Sequence, residues 1–314
     1  MTTLTAPAPP QPPAPGAERG PLRIPAAAWV VPPLLLILGF VGWPMVTVLG
    51  ESVRDQNGAL SLSSWSTVLT SGEFRNALLR TAQIAVGSTI GALILGSFLA
   101  LVLAFVPFPG AGLVARLIDT VLALPSFLIT LAFTFLYGSA GVLQAVITSV
   151  AGPGATLPPI LTSPLGVILA EITFFTPFVV RPLLAALSVL PREQLEVAAS
   201  LGAGPLRVLR TVVFPEVLPA LAAGGSLVLL LTLNEFGIVL FTGAKDVTTL
   251  PVLIYTRGVV SLDLPSAAVV ATAQVVLSLA LYSAYRFGFG RLSSRDATPE
   301  PQEGAGNAAL VAHQ

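Results

Sequence analysis

Long apolar stretches alternate with short polar ones along this chain, and the apolar stretches are too long to be strands. A helix rises about 1.5 Å per residue, so about 20 mostly apolar residues cross a bilayer core of about 30 Å. Six segments reach that length: Ala26 to Leu49, Leu78 to Val106, Leu113 to Leu136, Leu165 to Leu190, Val217 to Phe241 and Ser266 to Phe287. They predict an all-α, polytopic membrane protein with six transmembrane helices. The run Ala140 to Ser149 is apolar but too short to span, which suits a re-entrant or interfacial piece. Pro125 and Pro177 fall mid-segment and predict kinks. Pro44 and Pro182 are compatible with membrane helices, where neighbours re-satisfy freed carbonyls.

The flanks differ in kind. Residues 1–25 are rich in proline and alanine and read as a disordered cytoplasmic tail. The first apolar run is long and lies behind that tail, so it reads as a retained helix rather than a secretory signal. Residues 26–74 hold this helix and an outer loop, residues 75–288 the main transmembrane domain, and residues 289–314 a second polar, disordered cytoplasmic tail.

Composition narrows the class further. Charged residues make up 10% of the chain, against roughly 25% in soluble domains. Net charge is zero and there is no basic block, which argues against nucleic-acid binding. With no cysteine, and with His313 as the one histidine, thiol chemistry, Cys/His zinc sites and haem ligation fall away. Basic residues set the orientation. With the N-terminus inside, Arg19, Arg23, Arg116, Arg192, Arg207, Arg210, Arg286, Arg291 and Arg295 face the cytoplasm. Arg54, Arg75, Arg80, Lys245 and Arg257 face outward. Both termini and the loop 191–215 are then cytoplasmic, in a bacterial inner membrane.

That loop, containing EVAASLGAGPLRVLRTVVFP from Glu196 to Pro215, is a polar island rich in small residues. Arg192 to Ser200 has high helix propensity. Gly202 and Gly204 interrupt it, and Leu206 to Val213 suits a second short helix with Leu206, Leu209, Val212 and Val213 near one face. Pro215 is expected to stop it. On these grounds an ordinary connector and a projecting helix-turn-helix hook are equally open. The spacing also resembles the EAA loop of binding-protein-dependent ABC transporter permeases of the type I importer class. Its form is Glu-Ala-Ala, three residues, Gly, nine residues, Ile, one residue, Leu-Pro. Here Glu196, Val197 and Ala198 fill the triplet, Gly202 follows, and Val212, Phe214 and Pro215 close it. Val197, Val212 and Phe214 depart conservatively.

The resemblance implies that this loop inserts a coupling helix into a cleft on a cytoplasmic ATPase. Glu196, Ala198, Gly202 and Pro215 carry over by position. Arg207 and Arg210 are added as ion-pair partners at the rim. It also implies two ATPase subunits, a periplasmic solute-binding protein and a second permease subunit, identical or related, all around the lipid bilayer. The chain has no GxxxxGK[ST] phosphate loop, so ATP and Mg would sit on the partner and no cofactor or catalysis on this chain. The segments LPSFLITLAFTFLYGSAG and NEFGIVLFTGAKDVTTLPVLIY are similar to permeases of 2-aminoethylphosphonate importers. The NEFG stretch is also similar to the GEFG of sulfate and molybdate permeases, and iron and thiamine permeases are related. A phosphonate is the first expectation for the cargo.

Ionisable residues at membrane depth are functional candidates by default. Asp119 and Arg181, nearer the cytoplasm, read as paired packing residues. Glu171 and Glu235, with Asn234, either line the route of a cationic or zwitterionic solute or are capped packing residues. Gly87, Ser88 and Gly91, and Gly224, Gly225 and Ser226, permit close helix packing. An ion-coupled secondary transporter would need central carboxylates and inverted repeats. An intramembrane enzyme would need a His or paired-Asp set that these segments lack.

Overall fold

The computed structural model describes residues 29–55, 57–152, 154–156, 160–244 and 247–296, with side chains described up to residue 289. The terminal stretches 1–28 and 297–314 lie outside the described residues, as do Arg19, Arg23, Lys245 and His313. So do the side chains of Arg291 and Arg295.

Fourteen helices follow along the described chain. They are α1 Val31–Ile37, α2 Trp43–Ser52, α3 Ser63–Thr70, α4 Gly72–Phe105, α5 Ala111–Leu122, α6 Ser126–Tyr137 and α7 Val142–Ala151. Then come α8 Pro164–Ser188, α9 Arg192–Ser200, α10 Pro205–Val208, α11 Phe214–Leu233, α12 Gly237–Thr242, α13 Leu250–Tyr255 and α14 Leu264–Asp296. No strand occurs among the described residues. Six spans are long and apolar enough to cross a membrane: Val31–Ser52, Gly72–Phe105, Ser126–Ala151, Pro164–Ser188, Pro205–Leu233 and Leu264–Phe289.

The chain divides into two compact units, Met1–Thr47 and Val48–Gln314. In the first, Trp29, Leu35, Phe40 and Trp43 are exposed, as a helix immersed in hydrocarbon requires. A π turn at Leu38–Gly42 joins α1 to α2, with the Trp43 amide bonded to the Leu38 carbonyl and Pro44 immediately after. The same arrangement recurs in the second unit at Leu209–Val213, where the Phe214 amide bonds to Leu209 and Pro215 follows. A proline ring collides with the carbonyl four residues back. Widening the preceding turn moves that carbonyl aside, so the helix continues through the proline.

In the second unit α4, α8 and α11 form the core. Ala92 and Ala100 of α4 meet Phe175, Val179, Val180 and Leu183 of α8 and Val217 and Val228 of α11. Lipid supplies no hydrophobic drive between helices, so close van der Waals fit has to hold them. The fit is close at Gly91, where an added Cβ would run into the end of the Ile172 side chain of α8. Helices α4 and α8 have capped starts. The Ser71 hydroxyl accepts the Phe74 amide at 3.2 Å ahead of α4. Ser163 does the same for Gly166 at 3.4 Å ahead of α8, with Pro164 in its first turn.

Several expectations change. The segment Leu113 to Leu136 is not one kinked helix. It ends at Leu122, and α6 starts at Ser126 with Pro125 as an extended cap, because the residue before a proline is pushed out of the helical region. The run Ala140 to Ser149 forms most of α7, which a break at 138–141 with extended Gly138 and Gly141 sets off from α6, and α6 and α7 together make up the candidate span Ser126–Ala151. The segment Val217 to Phe241 is also broken, with α11 ending at Leu233 and α12 beginning at Gly237. At the other end, α14 runs to Asp296, past the expected limit at Phe287.

Candidate functional site

The loop 191–215 folds as a hook. Pro191, in an extended conformation, starts α9. Its end is a Schellman motif: the Ala203 amide bonds to Ala198 at 3.1 Å and the Gly202 amide to Ala199 at 2.9 Å. Gly202 adopts φ +81° there, a left-handed conformation natural to glycine, and the space around it is open. The chain turns back through extended Gly204, and Pro205 begins α10. From Pro205 to Leu233 the helix is unbroken through its π turn. Pro215 therefore does not stop the second helix as expected, and the hook is continuous with the fifth crossing.

Burial sorts the hook's two faces. Leu195 and Leu209 pack against the α4–α8–α11 core, and Val213 is buried within it. Leu201 is 82% exposed, Leu206 61% and Val197 57%. Leu206 thus lies opposite to its expected side. Ala198 is half-buried, while Glu196, Gly202, Arg207, Arg210 and Pro215 are exposed. Among the described residues, neither Glu196 nor the two arginines form an ion pair. The exposed part of the hook thus carries apolar Leu201 and Leu206 alongside charges of both signs.

The ionisable residues at membrane depth fall into two sets. Asp119 of α5 pairs with Arg181 of α8, as expected of packing residues. Glu171 is fully buried in α8, and neither of its oxygens has a hydrogen-bond partner. Ser88 of α4 is equally buried, and its hydroxyl has no hydrogen bond of ordinary geometry. Glu235 sits in the break between α11 and α12. Its Oε1 accepts from the Ser126 hydroxyl at 3.0 Å and from the Ile238 amide at 2.8 Å. Asn234 is exposed and donates to the Leu230 carbonyl at 2.8 Å. Gln274 of α14 donates to the Leu233 carbonyl at 2.6 Å, so side chains complete the broken end of α11.

The structure therefore joins Glu235 to Ser126 and the Leu233 carbonyl to Gln274, and it buries Ser88 as fully as Glu171; Ser88, Ser126 and Gln274 carry no charge to mark them in sequence. It also reveals a charged cluster in which Arg257 bridges Glu73 and Asp263. Arg257 follows α13, whose apolar stretch with its π turn, Leu250–Val260, is too short to cross a membrane.

Membrane-length helices surrounding buried polar groups, with an apolar-tipped hook at one end, define a multi-pass transport permease. Residues 92–293 match the family described as binding-protein-dependent transport system inner membrane component. The chain is 49% identical over 280 residues to the permease protein PhnU of Salmonella typhimurium, named for 2-aminoethylphosphonate transport, covering 88% of this chain and 97% of the relative. It is 32% identical over 173 residues to the thiamine transport system permease protein ThiP of Brucella abortus, covering 55% of this chain and 31% of ThiP. A chain of a bacterial ABC transporter that imports alginate superposes with a TM-score of 0.72 at 17% identity, covering 85% of this chain and 95% of that one. The chain belongs to the family of inner membrane components of binding-protein-dependent transport systems. It is a multi-pass permease subunit of the ABC type, a class that works with ATPase subunits and a periplasmic binding protein.

Proposed function

We propose that this permease imports 2-aminoethylphosphonate. The observation that carries the reading is the 49% identity to PhnU, which extends over 88% of the chain rather than over the hook alone. In this reading both termini are cytoplasmic, the hook docks on an ATPase, and a second permease subunit, identical or related, completes the pathway. Glu196, Ala198, Gly202 and Pro215 shape the docking element, and Arg207 and Arg210 form ion pairs at its rim. ATP and Mg are handled by two ATPase subunits, and this chain catalyses no reaction.

The physical cycle is alternating access. The loaded binding protein engages the outer loops, closure of the ATPases on ATP displaces the hooks, and the pathway opens outward. Hydrolysis resets it. The test is uptake of labelled 2-aminoethylphosphonate into proteoliposomes that hold the complete transporter, with its binding protein supplied outside and ATP inside. Saturable, ATP-dependent uptake is expected. Uptake of sulfate or thiamine in its place would reject the solute, and uptake that persists without any ATPase would reject the class of energy coupling.

A further inference from the structure

We infer that Glu235 is a positioning residue that clasps α6 to α12, so that these two short helices move as one gate element hinged at the breaks 123–125 and 234–236. Such a clasp serves a permease of this class whatever its solute.

Two interrupted helices meet where each resumes. α6 begins at Ser126 after the break that follows α5, and α12 begins at Gly237 after the break that follows α11. The first turn of a helix leaves amides without intrahelical partners. One carboxylate oxygen reaches both starts. Glu235 Oε1 accepts the Ile238 amide at 2.8 Å and the Ser126 hydroxyl at 3.0 Å. Further along, the Thr130 hydroxyl of α6 donates to the Ile238 carbonyl at 3.3 Å. The rings of Phe127 and Phe241 lie 5.2 Å apart. The backbones approach closely as well. A Cβ added at Gly237 would lie 2.9 Å from the Ser126 Oγ and 3.3 Å from the Glu235 Oε1. Glycine at 237 is therefore what lets the clasp close.

The bed on which the pair lies is different in kind. Ile129 of α6 and Ile238 and Val239 of α12 share an apolar core with Ile84 of α4 and with Val167 and Ala170 of α8. Hydrogen bonds fix both distance and direction, whereas packed apolar faces allow small sliding shear. The ties within the pair are thus stiffer than its seat on α4 and α8. Short breaks at helix ends are where a chain absorbs rotation, and each member of the pair has one at its start. α11 leads from the hook to the break at 234–236. Without the clasp, a displacement of that end would act on α12 alone. With Glu235 in place, α6 is carried along. Glu235 acts through the helices it joins and needs no contact with the solute.

The test uses the complete transporter in proteoliposomes. This chain has no cysteine, so Ser126→Cys with Gly237→Cys introduces a single pair at the closeness a disulfide demands. Oxidation with copper phenanthroline, read by mass spectrometry, should cross-link the pair to the same extent without nucleotide and in the state trapped with ATP and vanadate. A cross-link lost in either state, or absent from both, overturns the inference. Uptake tests the clasp itself. Glu235→Leu should lower the maximal rate about tenfold or more, the loss of a charge-assisted bond. The half-saturating solute concentration should stay within about twofold, as befits a residue that does not touch solute. Glu235→Gln keeps an acceptor oxygen and should rescue most of the rate. If Glu235→Gln falls as far as Glu235→Leu, or if the half-saturating concentration rises while the maximal rate holds, Glu235 works through its charge and the clasp is wrong. If the wild type takes up no 2-aminoethylphosphonate, the solute assignment fails, and the cross-link still decides this inference.

Discussion

The hook and the intramembrane cluster invert each other. In the hook the apolar side chains Leu201 and Leu206 are exposed and its charges lie in the open around them. Glu171 is fully buried with its oxygens unbonded, on a helix whose nearby Val167 and Ala170 belong to an apolar core. Each region departs from what its own solvent favours. Exposed leucines favour a surface that covers them, and a buried carboxylate favours a proton or a partner of opposite charge. A permease without its partners shows its function most clearly where such unmet demands remain.

The largest expected effect comes from breaking the first half of this contrast. Glu196→Lys, Gly202→Asp or Leu201→Glu should abolish uptake and ATPase co-purification, lowering both more than about tenfold. Membrane insertion and monodispersity in detergent should be unchanged. Normal assembly of all three variants with an ATPase would show that the hook's exposed face is an ordinary surface. Next comes the seam that isolates Glu171. Gly91→Leu forces a side chain into Ile172 and should cost about 1–3 kcal/mol, seen as a lower thermal midpoint in detergent. An unchanged midpoint would mean the seam is loose enough to admit water.

Two smaller effects sharpen the picture. Gly202→Ala keeps the hook's surface and strains only the left-handed turn, at about 1–2 kcal/mol. Hydrogen exchange at the Gly202 and Ala203 amides should accelerate while the rest of α9 stays protected; exchange rates equal to wild type would show that the turn tolerates a side chain. The smallest effect is expected at Asp119→Asn. Its pair with Arg181 is partly exposed, with the arginine side chain 55% accessible. The cost should stay below about 1 kcal/mol and shrink in salt. A larger loss would place this pair with the buried groups rather than with the surface ones.

Legibility in the sequence follows the range of the interactions. The helix Arg192–Ser200 and the turn at Gly202 are local matters of propensity and backbone conformation, so spacing alone exposes them. The end of α5 is hidden because the apolar pattern runs on through Leu124 and Pro125, and only the proline marks the break. The stretch Leu250–Val260 is missed because it is shorter than a crossing, although Pro251 in its first turn is a start signal. The burial of Ser88 is a tertiary fact. Nothing along the chain announces it except the small residues around Ser88, and these say only that some helix packs there.

The helix that continues from the hook into the membrane has a mechanical meaning. Pro205–Leu233 is 29 residues long, a rod of about 43 Å. Its near end carries the exposed Leu206, and its far end stops at the break that holds Glu235. A tilt of about 5° about the near end moves the far end sideways by about 4 Å, comparable to the spacing of adjacent Cα atoms. The π turn at Leu209–Val213 and Pro219 inside α11 are irregular joints in that rod, so their stiffness sets how much of a push at the hook arrives at Glu235 and how much is absorbed on the way.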